Sequence, residues 1–152
     1  MSAAELDASL VDDGRCIGCG PLCEHGLKLR FEVAEDGSVE SRVTVAAAFQ
    51  GWRGVVHGGI VALLLDEAMA YAAGARGLLG VTAELTLRFR HAVPVGEPLV
   101  VRGSVRWQRR NVLAVEATVG DAAGTLLASA QGRFVSRGRL APGQRFGFAD
   151  GR

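Results

Sequence analysis

At 152 residues, 49% of them apolar, the chain is sized for one compact domain with a real core. A net charge of +1 gives no general case for a nucleic-acid partner, and the longest uninterrupted aliphatic run, Ile60 to Leu65, is far short of the roughly 20 residues that cross a bilayer. Charge is nonetheless uneven: residues 1–40 hold nine acids against three bases, whereas Arg88 to Arg110 holds six arginines against Glu97 alone. A basic stretch that short points to a local anion site, not a long phosphate track.

Met1 to Leu10 lacks the basic-then-apolar layout of a signal peptide, so a cytoplasmic protein without membrane contact is expected. The three cysteines all fall between positions 16 and 23, an odd number that argues against a disulfide framework. Residues 1–27 read as an irregular arm with a Gly20-Pro21 turn, residues 28–137 as the domain proper and residues 138–152 as a loose, polar tail.

Two strands are expected after the arm. Leu27, Leu29, Phe31 and Val33 alternate with polar residues, Asp36-Gly37 is a hairpin signal, and a β-like run resumes from Val39 to Val45. Residues 46–56, with Gly51 and Gly54, read as loop. A helix starts near His57 and runs to Ala73, ended by Gly74 and Gly77. It is apolar all round apart from Asp66 and Glu67, so other parts of the protein must wrap it. Four strands follow: Val81 to Arg90, Pro98 to Gln108, Val112 to Val119 and Thr125 to Val135. The order β-β-α-β-β-β-β gives an α+β class, with an antiparallel sheet of about six strands curled around one central helix. On the strand after the helix, alternation puts Thr82, Glu84, Thr86, Arg88 and Arg90 on one polar face.

Ionised carboxylates are costly inside apolar surroundings, so the tandem Asp66 and Glu67 require a reason. Neighbours on a helix point about 100° apart, which lets one serve structure and the other chemistry. At the helix start, His57-Gly58-Gly59 offers unpaired backbone N–H groups without side chains in the way, a natural seat for an anion or a carbonyl oxygen. Gly58 and Asp66 are eight residues apart, roughly 12 Å along a helix, too far to act on one carbonyl carbon. If both act, they come from different subunits across a two-fold interface.

His57-Gly58-Gly59 with Asp66 nine positions after the histidine resembles the signature of hotdog-fold thioesterases of the phenylacetate-pathway and 4-hydroxybenzoyl-CoA thioesterase type. Gly80 to Leu85 leading to Pro94-Val95-Gly96-Glu97 is similar to that family's strand and turn after the helix. Ala128 to Phe134 resembles its last strand, and Cys16 to Phe31 the arm before many members. The resemblance implies a hotdog fold, a homodimer or dimer of dimers, and hydrolysis of acyl-CoA. It gives Asp66 the position of nucleophile or general base, Gly58 that of the oxyanion donor, and Thr82 that of a hydroxyl assisting the water. Gln50 lies close to where many relatives carry Asn or Gln.

His57 and Gly59 join Gly58 as catalytic candidates, with His57 the more natural as a helix-start residue bonding nearby backbone. Gln50, Glu67, Arg106, Arg109 and Arg110 are substrate-binding candidates, the arginines because guanidinium groups match the phosphates of CoA. Trp52 and Trp107 are candidates for lining a pocket. Cys16, Cys19, Cys23 and His25 are zinc-ligand types, but they crowd one loop where a structural zinc site usually joins two separated pairs. Reduced cysteines packing the arm, with no cofactor or metal, are therefore the expectation. Three rivals remain: a non-catalytic acyl-CoA-binding hotdog protein, an enoyl-CoA hydratase, and a zinc-dependent module built on the arm. The second is disfavoured because its relatives carry a His five residues after the Asp, where this chain has Tyr71.

Overall fold

The computed structural model describes residues 10–144 with Phe146 and Gly147, so the first nine residues of the expected arm and residues 145 and 148–152 of the expected tail lie outside the described residues. In chain order the elements are β1 (Glu32–Val33), β2 (Val39–Thr44), a 3-10 turn (Ala47–Phe49), α1 (Gly58–Ala75), β3 (Leu78–Phe89), β4 (Pro98–Arg109), β5 (Val112–Asp121) and β6 (Leu126–Arg139). The strands make one antiparallel sheet in the order β1-β2-β4-β5-β6-β3, and α1 lies across one face of it. This is the α+β arrangement read from the sequence.

The core is where α1 meets the sheet. Leu64, Leu65, Ala68 and Met69 are fully buried against Val101, Leu113, Val115, Val119 and Phe134. By length and composition α1 alone resembles a bilayer span, but its apolar sides pack on the sheet. A Cβ at Gly103 would run into the Ala68 carbonyl, so the absence of a side chain there sets how closely α1 approaches β4.

Three expectations are corrected. The strand expected from Leu27 shrinks to Glu32–Val33. Lys28 takes a positive φ of 51°, and the N–H groups of Leu27 and Leu29 donate to the carbonyls of Ile17 and Gly18, so this stretch pairs with the arm. The helix does not stop at Gly74 but runs to Ala75, with Gly77 at φ 75° closing it. Gly74 is needed for room, because a Cβ there would overlap Phe146.

The third correction concerns β3. Thr82 pairs with Phe134 and Glu84 with Arg133, so Ala83 is an extra residue in a β-bulge. On the far side of the bulge Glu84, Thr86 and Arg88 keep to the outer face, opposite Arg133, Gln131 and Ser129. Thr82 instead shares the row of buried Phe134, on the helix side. The simple alternation expected from the sequence therefore fails at the one residue where a face change brings a hydroxyl to α1.

Candidate active site

Inward-turned Thr82 meets Asp66. Its hydroxyl donates to Asp66 Oδ1 at 2.7 Å, a bond short enough to hold the carboxylate in one orientation. Asp66 is half-buried and lies on an open stripe of α1 with Gly59, Ala62, Leu63 and Ala70. Glu67, one residue on, is buried on another side of the helix, beneath the arm. The two carboxylates thus face different surroundings, as the helical offset requires.

At the start of α1, His57 is the N-cap and its Nδ1 accepts from the Gly59 N–H at 2.9 Å. The N–H groups of Ile60 and Val61 both donate to the His57 carbonyl. Among the described residues this leaves Gly58 as the first-turn N–H without an acceptor. Gly59 spends its donor on the cap, and His57 serves as the helix-start residue. Gly58 borders a cavity of about 810 Å³ lined chiefly by Trp52, Val56, Val61, Phe89, Arg90 and Val93. Asp66 and Thr82 do not line it.

The profile of the thioesterase superfamily matches residues 53–139, more than half of the chain. The chain belongs to the thioesterase superfamily. Its architecture is that superfamily's hotdog fold. A thioesterase superfamily protein of known crystal structure is 33% identical, with a TM-score of 0.75 over 78% of this chain and 62% of its own, so this chain spans less than two thirds of that relative. A phenylacetic acid degradation-related protein from Ralstonia eutropha is 27% identical, with a TM-score of 0.66 over 76% of this chain and 89% of that one. A hypothetical thioesterase from Streptococcus pneumoniae, crystallised with coenzyme A, shares the fold at 21% identity and a TM-score of 0.70, over 74% and 91% of the two chains. A search among curated proteins gives no match.

The other candidates of this superfamily member are scattered. Gln50 uses its Oε1 to accept the Gly54 N–H at 3.2 Å, bracing the loop before α1. Arg106 pairs with Glu116 at 3.4 Å, and Arg109 lies 5.4 Å from the Trp107 ring, which Arg133 also approaches. Arg110 turns the β4–β5 hairpin with φ 55°. Leu113, Phe134 and Thr82 form one row across the sheet, so this hairpin sits at the Asp66–Thr82 end and not beside Gly58. Trp52 lines the Gly58 cavity and Trp107 does not.

Two lining residues, Phe89 and Arg90, escaped the sequence reading as site residues. Phe89 keeps the inward parity of Leu85 and Leu87, and its ring would lie 3.9 Å from a Cβ at position 58. That parity was the available signal, obscured by a strand read as polar. Among the described residues, the group of potential metal-ligating atoms within 4.8 Å of one another is Cys16, Cys19 and Glu67. Cys23 and His25, which share the loop with these cysteines, are not in it. Burial raises the Glu67 carboxyl above its usual range, against the opposing contacts with Cys19 and Cys16, and burial also raises the Cys19 thiol.

Proposed function

We propose that this chain hydrolyses acyl-CoA thioesters to free acid and CoA, at sites formed between two subunits. The observation that carries the reading is the Thr82–Asp66 hydrogen bond at 2.7 Å, on a helix whose one other carboxylate, Glu67, faces the arm instead. A carboxylate held by one oxygen leaves the other to take a proton from water. The Thr82 hydroxyl donates its hydrogen bond to Asp66 and keeps lone pairs that can accept from the same water.

In this mechanism the water oxygen bonds to the thioester carbon as Asp66 takes the water's proton. The carbonyl oxygen becomes an oxyanion, received by the acceptor-free Gly58 N–H of the other subunit. Collapse breaks the C–S bond, and the thiolate leaves with little acid assistance. Direct attack by Asp66, through an acyl-enzyme anhydride, uses the same geometry. The separation of roughly 12 Å between Gly58 and Asp66 along one helix is the argument for the second subunit.

Two further features favour a dimer with α1 and β3 at its seam. The 12-residue β3 is an edge strand, and a long unprotected edge invites pairing. The open stripe of α1 bearing Asp66 adjoins it. Whether two dimers then join does not alter the site. Structures of the streptococcal thioesterase with one Asp or one Thr changed to Ala concern positions sixteen apart, the same spacing as Asp66 and Thr82 here. The arginines of the β4–β5 hairpin, Arg106, Arg109 and Arg110, are proposed to meet the phosphates of CoA, and Gln50 and Glu67 to support the substrate site indirectly through the loop and helix. The three free cysteines suit the cytoplasm as its compartment.

The test is release of free thiol from a panel of short-chain, long-chain and aromatic acyl-CoAs. Turnover of at least one ester supports the reading. Binding of acyl-CoA without release across the panel would favour the non-catalytic binding protein.

A further inference from the structure

The arm packs its cysteines onto the reverse side of the helix that carries Asp66, and the mechanism above gives that contact no role. Glu67 is 7% exposed, in a helix whose other buried positions are apolar but for Tyr71. Among the described residues no Lys, Arg or His forms an ion pair with it. Its neighbours are sulfur: Cys16 Sγ lies 3.7 Å from Oε1 and 3.8 Å from Oε2, and Cys19 Sγ completes a group whose atoms are all within 4.8 Å of one another. A thiol is a weak hydrogen-bond donor, poorly matched to a buried carboxylate.

We propose that Cys16, Cys19 and Glu67 bind a thiophilic divalent cation, with zinc the best fit and water as fourth ligand. Zinc sits about 2.3 Å from thiolate sulfur and about 2.0 Å from carboxylate oxygen, which places tetrahedral ligand atoms roughly 3.5–3.8 Å apart. The Cys16–Glu67 distances already have that size. The spacing Cys16-x-x-Cys19 supplies both sulfurs from one tight turn, closed by the Gly20 N–H donating to the Cys16 carbonyl at 2.8 Å. Within it the Gly18 N–H donates to Cys16 Sγ at 3.3 Å, a contact that fixes where this sulfur points. A Cβ at Gly18 would lie 2.5 Å from Glu67 Oε2, so with glycine there the turn closes over the carboxylate without displacing its side chain.

On binding, each thiol gives up its proton to solvent and the sulfur bonds to the metal, with no change of oxidation state. Two thiolates and a carboxylate slightly overbalance the cation, and the Gly18 N–H offsets part of the excess. The arm is thereby tied to α1 at the residue next to Asp66. This site is separate from the hydrolytic one: the metal faces the arm, and Asp66 faces β3.

The experiment uses the full chain, reduced, stripped with chelator and titrated with cobalt(II), then with zinc. The expected result is about one metal per chain, with a sulfur-to-cobalt charge-transfer band and the strong visible bands of tetrahedral cobalt, both abolished by zinc. Cys16→Ser and Cys19→Ser should each weaken zinc binding by more than about tenfold, while Cys23→Ser and His25→Ala leave it within about twofold. Because Glu67→Gln can unfold the helix, the carboxylate is tested in the unaltered protein. Zinc X-ray absorption should show two sulfurs at about 2.3 Å and oxygen at about 2.0 Å. No charge-transfer band, dependence on Cys23 or His25, or a shell of three or more sulfurs would each overturn the proposal.

Discussion

Thr82 reaches Asp66 because β3 carries one residue too many: Ala83 bulges, and the hydroxyl turns from the outer face to meet Oδ1 at 2.7 Å. Bulges re-aim single side chains without altering the rest of a sheet, and here the re-aimed residue orients the carboxylate proposed to activate water.

Thr82→Val should therefore lower kcat about 10- to 100-fold, the range of one charge-assisted hydrogen bond of about 1.5–3 kcal/mol. KM should change little, and Thr82→Ser should stay close to wild type. Deleting Ala83 removes the bulge and should cost at least as much as the valine. Steady-state kinetics with any turned-over ester decides it, and an unimpaired deletion variant would mean that the bulge does not serve the site.

For the neighbouring carboxylates, Asp66→Asn should lower kcat by at least about a hundredfold with fold and dimer intact. Glu67→Gln, altered beneath the arm, should affect thermal stability more than kcat. The reverse ranking would show that the wrong acid has been assigned to chemistry.

The hairpin arginines make a prediction about substrate length. Changing Arg109 and Arg110 together to Ala should raise KM for CoA esters and hardly affect a pantetheine ester, which lacks the nucleotide phosphates. Equal losses on both substrates would contradict phosphate binding.

Packing can be tested without activity. Gly103→Val drives a side chain into the Ala68 carbonyl and should cost about 2–3 kcal/mol or more by overpacking. Gly138→Ala meets nothing within 4 Å and should stay within about 0.5 kcal/mol. Thermal denaturation of the two compares a close helix–strand approach with an open strand end.

Much of this architecture was legible in the sequence because periodicity reports burial directly. The apolar stretch from Gly58 reads as a wrapped helix, and Asp36-Gly37 and Asp121 to Gly124 read as turns, where Asp36 and Asp121 do accept backbone N–H groups. Long-range exceptions were not legible. Lys28 leaves the strand because of hydrogen bonds to the arm, and Thr82 changes face because of a bulge that alternation cannot reveal. The cysteines were visible as ligand types, but their partner Glu67 lies 51 positions from Cys16 and becomes its neighbour only through folding. The acceptor-free Gly58 N–H likewise emerges only after the capping bonds of His57 are counted.

The shared site is the central claim, and complementation tests it most directly. Two inactive variants are needed, Asp66→Asn and Gly58→Pro, the latter deleting the donor N–H. Proline suits the first helical position, and His57, at φ −56° and ψ 137°, already has the extended backbone that a following proline demands. A Cβ at position 58 has room, with Phe89 no nearer than 3.9 Å. In a mixed dimer one site carries both lesions and the other neither. Unfolding equal amounts together and refolding them should restore roughly a quarter of wild-type activity if subunits pair at random. A mixture as inactive as its parents, with heterodimers verified by mass spectrometry, would contradict the claim that Gly58 of one subunit and Asp66 of the other act on the same thioester.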